Sequence, residues 1–176
     1  MTTFTRFDIE QDPFELAKKG RVIAGTVLVK DLLRINDLVG DAGALDASLE
    51  FGIDDTGLRI VTGKVEGDVN LECQRCMGRY TSSLKLAFTL GLVKNESQIE
   101  RLPDEYEPLL VEGDFVCLQD IIEDEIILAL PAAPLHDEAD CSQVRVTVSK
   151  QETQPQVVET RRPFGNLSDL LDKGKK

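Results

Sequence analysis

The sequence predicts an α+β fold: an antiparallel sheet, or a partly open β-barrel, with a few short helices and a flexible C-terminal tail. Three observations carry this. Leu45, Ala47, Leu49, Phe51 and Ile53 alternate with polar residues, the period-two pattern of a half-buried strand. Two longer β-rich runs follow over residues 58–71 and 82–93. Ile121, Ile122, Ile126 and Leu128 then recur at the spacing of an amphipathic helix.

The elements follow in order. Asp12-Pro13-Phe14-Glu15 reads as a helix start, with Asp at the N-cap, Pro at the first helical position and Gly20 as the stop. Residues 21–29 hold Val22, Ile23, Thr26, Val27 and Val29 and predict a strand. Leu32, Leu33, Ile35 and Leu38 predict a helix that reaches Gly40. Residues 45–94 read as an antiparallel meander, with Asp54-Asp55-Thr56-Gly57 as turn chemistry and Gly63 and Gly67 expected as bulges or bends. The second strand runs into Cys73-Gln74-Arg75-Cys76, and residues 82–93 return, so the cysteine pair falls at a hairpin tip. A short helix is expected over 96–102, with short strands on either side of Glu112-Gly113. The acidic and apolar helix comes next, with Asp120 near its N-cap and Pro131 and Pro134 ending it. Residues 1–141 are expected as a single domain. Residues 142–176 are expected as a flexible linker and a short C-terminal helical segment, closed by Lys173, Lys175 and Lys176.

Charge is distributed unevenly. Of a net charge of −12, residues 96–140 contribute 14 acidic side chains and one basic one, Arg101. Such a segment repels a phosphate backbone and attracts basic surfaces, which excludes a broad nucleic-acid-binding face there. The chain has no Trp, two Tyr and seven Phe, too few for a surface of base-stacking platforms. The first residues lack the apolar core of a signal peptide, and no run approaches the roughly 18 apolar residues of a membrane span. The expectation is a cytoplasmic protein whose thiols stay reduced.

Cys73 and Cys76 place two thiols on one tight turn, the bite of half a tetrahedral zinc site. His136, the chain's one histidine, and Cys141 supply a second half, separated by four residues. Cys117 is left over, between Val116 and Leu118. Spacing alone leaves a metal site, a redox pair and an incidental tip all open. Four protein ligands would make the metal structural, since no position remains for a reacting water. His136-Asp137-Glu138 matches half of a zinc deaminase motif, but the order is reversed and Glu72 stands where that motif has Pro. A thioredoxin-like pair belongs at a helix start, not between antiparallel strands. No phosphate-binding glycine loop or nucleophile elbow occurs. Nothing demands an enzyme. The alternative that remains is a thiol-redox or metal-dependent enzyme using Cys73 and Cys76.

Several blocks together carry a resemblance: residues 71–76, residues 102–108, residues 122–131, His136-Asp137 with Cys141, and Arg162-Pro163-Phe164. In this order and spacing the chain resembles the YceD family, the large ribosomal RNA subunit accumulation proteins, over most of residues 10–172. The resemblance implies a cytoplasmic bacterial factor that supports the synthesis, processing or stability of 23S rRNA, with no catalytic mechanism. It also implies an association with the gene for a small, basic, zinc-binding large-subunit protein. Many members carry extra cysteines where this chain has only Cys141 with His136 nearby. Charge and resemblance together give an expected partner: a basic large-subunit ribosomal protein or a pre-50S particle. Glu123, Asp124 and Glu125 would hold that partner, while Arg75 and Arg79, near the hairpin tip, would make limited rRNA contact.

Overall fold

The computed structural model describes residues 7–40, 43–137 and 141. The expected linker and helical segment over 142–176 lie outside the described residues. A two-residue strand β1 (Glu10–Gln11) leads to helix α1 (Pro13–Lys18). The Asp12 carboxylate accepts the N–H groups of Phe14 and Glu15 at 2.9 and 3.1 Å, so the sequence-predicted cap forms. Strand β2 (Val22–Leu28) follows as expected.

The predicted helix to Gly40 is mostly absent. A single 3₁₀ turn covers Val29–Asp31, and only α2 (Asn36–Val39) is α-helical. The reason lies in two competing hydrogen bonds. A continuous helix would pair Arg34 N–H with the Lys30 carbonyl. Instead Arg34 N–H donates to Glu123, and the Lys30 carbonyl accepts from the Asn36 side chain. Of the residues whose spacing suggested it, Leu32 and Ile35 are fully buried but Leu33 and Leu38 are exposed, and Val39 is buried instead, so the spacing marks an irregular segment rather than one helical face.

Strands β3 (Ala44–Ile53), β4 (Arg59–Glu72) and β5 (Arg79–Val93) form the meander in continuous antiparallel register. Gly63 and Gly67 sit within that register and mark no bulge. Gly63 pairs with Phe88, whose ring lies where a Cβ would stand, so the glycine opens space for an aromatic cross-strand partner.

After α3 (Glu96–Ile99), strand β6 (Glu107–Leu110) joins β5 in parallel, a departure from the all-antiparallel expectation. Residues 94–106 give the crossover length that a parallel pair needs. The sheet has the order β2-β3-β4-β5-β6 and does not close into a barrel. Strand β7 (Val116–Cys117) leaves this sheet and pairs with β1.

Helix α4 (Leu118–Ala129) then packs Leu118, Ile121, Ile122 and Ile126 into the core with Leu45, Leu49, Phe51, Val61 and Val65. Each such aliphatic side chain contributes roughly 1.5–3 kcal/mol on burial. Cys117, not Asp120, is the N-cap of α4, and it makes no side-chain cap. Phe7 supplies the missing acceptor, its carbonyl taking Gln119 N–H at 3.0 Å.

Candidate metal centre

The β4–β5 hairpin is long, and its tip is built by backbone geometry. Glu72 pairs with Arg79, and Cys73 N–H donates to the Gly78 carbonyl at 2.9 Å. Met77 N–H returns to the Cys73 carbonyl at 2.8 Å, with Met77 itself at φ +60°. Gly78 N–H then points at Cys76 Sγ, 3.4 Å away. A Cβ on residue 78 would stand 3.3 Å from that sulfur, so glycine permits the approach. The Cys-x-x-Cys-x-Gly pattern is present in the sequence, where the glycine is the signal for this tight approach beyond the two cysteines.

The second half arrives from the segment beyond α4. Pro131 ends the helix as expected, and the Pro134 carbonyl accepts Gln74 N–H at 2.9 Å. Tyr80, on β5, lies against the His136 ring with centroids 5.4 Å apart. Cys141 N–H donates to the Asp137 carbonyl at 3.1 Å. The four side chains singled out by spacing therefore converge. One donor atom each from Cys73, Cys76, His136 and Cys141 lies within 4.8 Å of all the others.

The distances suit a tetrahedral ion. Zinc–sulfur bonds of about 2.3 Å imply tetrahedral edges of about 3.8 Å. Cys73 Sγ and Cys141 Sγ are 3.9 Å apart, and Cys76 Sγ lies 3.8 Å from His136 Nε2. The three sulfurs and one imidazole are the donor set of closed Cys₃His sites. Among the described residues no other group of His, Cys, Asp or Glu has this convergence. Cys117 stands apart from it, its sulfur 3.9 Å from the Phe7 carbonyl oxygen.

Electrostatics divide the thiols. Burial pushes Cys73 up, but the backbone N–H groups of His136, Arg75 and Cys76 outweigh it and bring this thiol down to about 6. Cys141 is pushed up to about 11, first by burial and then by its neighbours Cys76 and Cys73. One sulfur is therefore ready as a thiolate, and another releases its proton only to a strong Lewis acid.

The three acids expected to hold a partner occupy three different environments. Glu123 is only 2% exposed; its carboxylate accepts Arg34 N–H and a Gln119 side-chain N–H, both at 3.2 Å. Asp124 is exposed and pairs with the Arg34 guanidinium. Glu125 is 7% exposed. A helix that packs against a sheet buries more than its aliphatic residues, and a run of adjacent charges cannot all face water. Arg75 and Arg79 are exposed at the hairpin tip, and the Arg79 guanidinium reaches back to Gly40.

Comparison with known proteins identifies relatives of the chain by sequence. The family model described as "Large ribosomal RNA subunit accumulation protein YceD" matches residues 61–171, which include all four candidate ligands. A Haemophilus influenzae protein with that same description is 33% identical over 169 residues, covering 92% of this chain and 94% of its own length. No solved structure matches the chain. On the extent of both matches, the chain belongs to the YceD family.

Proposed function

We propose that this protein is a non-enzymatic, cytoplasmic factor in large-subunit biogenesis, supporting the synthesis, processing or stability of 23S rRNA. It would act by binding a basic large-subunit ribosomal protein or a precursor particle. The observation that carries this reading is family membership joined to the charge of residues 96–140. The relative's name speaks of rRNA accumulation, yet this segment repels phosphate. Apart from Glu123 and Glu125, its described acids are exposed, including Asp114, Asp120 and Asp124. A cationic protein surface is the complement of such a field. Arg75 and Arg79 supply the limited rRNA contact.

In this reading Cys73, Cys76, His136 and Cys141 hold structural zinc. The metal would lock the hairpin tip to the segment beyond α4 and leave no coordination position for chemistry. A thiol-redox role is less well supported. Cys73 is fully buried, and the pair lies at a hairpin tip where no helix N-terminus activates it.

Density-gradient sedimentation at moderate salt tests the proposal. The protein is expected in fractions that hold large-subunit precursors, and charge reversal at Asp120 and Asp124 is expected to release it. Migration as free protein under all salt conditions would exclude the assembly role. Unchanged association of the reversed variant would exclude docking through the acidic segment.

A further inference from the structure

Glu125 is the one acid of α4 whose position nothing nearby explains. It is 7% exposed, yet no described residue gives it a hydrogen bond or an ion pair. Glu123, two residues earlier, is more deeply buried but has two donors. Burial, followed by the charges of Glu107 and Asp124, pushes the Glu125 carboxyl up. Among the described residues Asn36 Oδ1 is the one side-chain polar atom buried without a partner, so the Glu125 oxygens keep an opening to solvent; a mostly covered carboxylate that faces like charges is placed to gain from an added cation.

Glu125 lines a groove of about 430 Å³ between α4 and the edge strand β6. Leu90, Leu109, Ile121 and Leu128 give it apolar walls, and Glu107 and Asp124 give it an acidic rim. Asp124 is already engaged by Arg34, which leaves Glu107 and Glu125 without a cation among the described residues. The chemistry of an occupant follows. Glu107, Asp124 and Glu125 do not converge as a ligand group of three, which among the described residues only the cysteine–histidine set does. A phosphate would be repelled. A long organic cation fits both features, laying its alkyl stem on the apolar walls and its head between the carboxylates.

Strand addition at β6 is disfavoured by Pro108. Val111 N–H donates to the Val93 carbonyl, so the period of two turns Leu109 toward β5 and Pro108 toward the open edge. Proline has no N–H to offer a new strand there. Recognition must run through side chains.

We infer that the β6–α4 groove receives a lysine or arginine side chain, with an apolar neighbour, from a segment of a basic partner protein. Glu125 and Glu107 are the recognising pair. This deepens the proposed function and rests on it for the class of partner.

The test uses the full chain with a photo-crosslinking amino acid in place of Leu128, 71% exposed at the groove's rim. The probe is an RNA-free mixture of large-subunit ribosomal proteins. Crosslinks are expected on segments rich in Lys or Arg. Their yield is expected to fall about tenfold in Glu107→Gln/Glu125→Gln, as for loss of roughly 1.4 kcal/mol of binding. It should fall less than about twofold in Glu50→Gln/Glu66→Gln, which removes the same charge from exposed positions outside both the groove and the acidic segment. An unchanged yield, an equal fall in both variants, or crosslinks confined to the chain's own residues 173–176 would overturn the inference. Urea midpoints at or above the parent's confirm that the groove variant folds. Co-sedimentation with precursors, measured separately, reports on the proposed function, while the crosslink yield alone decides the groove.

Discussion

Gln74 N–H donates to the Pro134 carbonyl oxygen at 2.9 Å, which ties the tip of the β4–β5 hairpin to the segment that carries His136. The two halves of the candidate metal centre lie far apart in sequence, and this bond joins them through main chain alone. Tyr80 adds a ring contact to His136. The donor atoms are thereby brought together by protein contacts, and a metal would find its site largely organised.

Stoichiometric zinc is the first prediction. Protein purified without added metal and dialysed is expected to retain about one zinc per chain by elemental analysis. Cys73→Ser should lose it. Chelation should speed amide exchange around residues 73–80 and 134–137 and leave β3 and the centre of β4 protected, because the core of Phe51, Val61 and Val65 does not involve the ligands. Metal-free protein with full amide protection at the tip would contradict a structural role.

Zinc uptake should also release protons. With Cys73 down at about 6 and Cys141 up at about 11, reloading apoprotein at pH 7.5 draws a proton from Cys141. Affinity is then expected to strengthen as pH rises from 6 to 8. A pH-independent affinity over that range would rule out thiol deprotonation on binding.

Glu123 and Asp124 should behave very differently despite being adjacent. Glu123→Leu strands Arg34 N–H and removes one of the two acceptors of the Gln119 amide, which keeps the Asp31 carbonyl, and is expected to cost about 2–3 kcal/mol. At about 2–4 °C per kcal/mol, its melting temperature should fall by roughly 4–12 °C. Asp124→Ala removes only an exposed pair with Arg34, for about 0–1 kcal/mol. Equal losses in calorimetry would contradict the burial assigned to Glu123.

Glu125→Gln should stabilise the protein, with a defined pH dependence. The Glu125 carboxyl is pushed up by burial and by its acidic neighbours, so the folded state holds its proton more firmly than the unfolded state does. Its favourable contribution is complete below the unfolded carboxyl value and is lost as pH rises through the folded one. The glutamine variant should therefore melt higher than the parent above pH 6, with the gap closing toward pH 4. A constant gap across that range would show that the carboxylate is not strained. Gaining stability while losing the groove's cation partner is the usual trade at a binding site.

Gly63→Val tests the sheet. The new side chain would meet the Phe88 ring on the neighbouring strand, and overpacking of this kind costs about 1–3 kcal/mol. Phe88→Ala in the same chain should recover part of that loss, giving a coupling energy in a double-mutant cycle. Additive effects would mean that the two positions are not in contact.

Much of this architecture is written in local pattern. The alternation from Leu45 to Ile53 marks β3, because side chains on a strand face opposite sides at every step. Asp12 and Pro13 announce α1, since an N-cap oxygen and a fixed φ act within one turn. The spacing of Cys73 and Cys76 announces the hairpin tip and half of a ligand set. These signals are local and survive without knowledge of the rest of the chain.

Other features were decided by contacts between distant residues. Leu32 to Leu38 has helical spacing, but Glu123 and the Asn36 side chain take the hydrogen bonds that a helix would need. The parallel pairing of β6, the burial of Glu123 and Glu125, and the fit of Phe88 over Gly63 likewise depend on which element packs where. Local pattern suffices for the strand periods, the first helix cap, the acidic segment and the four candidate ligands. Packing between distant segments is what makes those ligands meet, and what splits a run of three acids into one that is capped, one that is paired and one left facing a groove. Hydrophobic burial fixes the face of α4 that meets the sheet, and the charges carried on that face must then find partners wherever the packing leaves them.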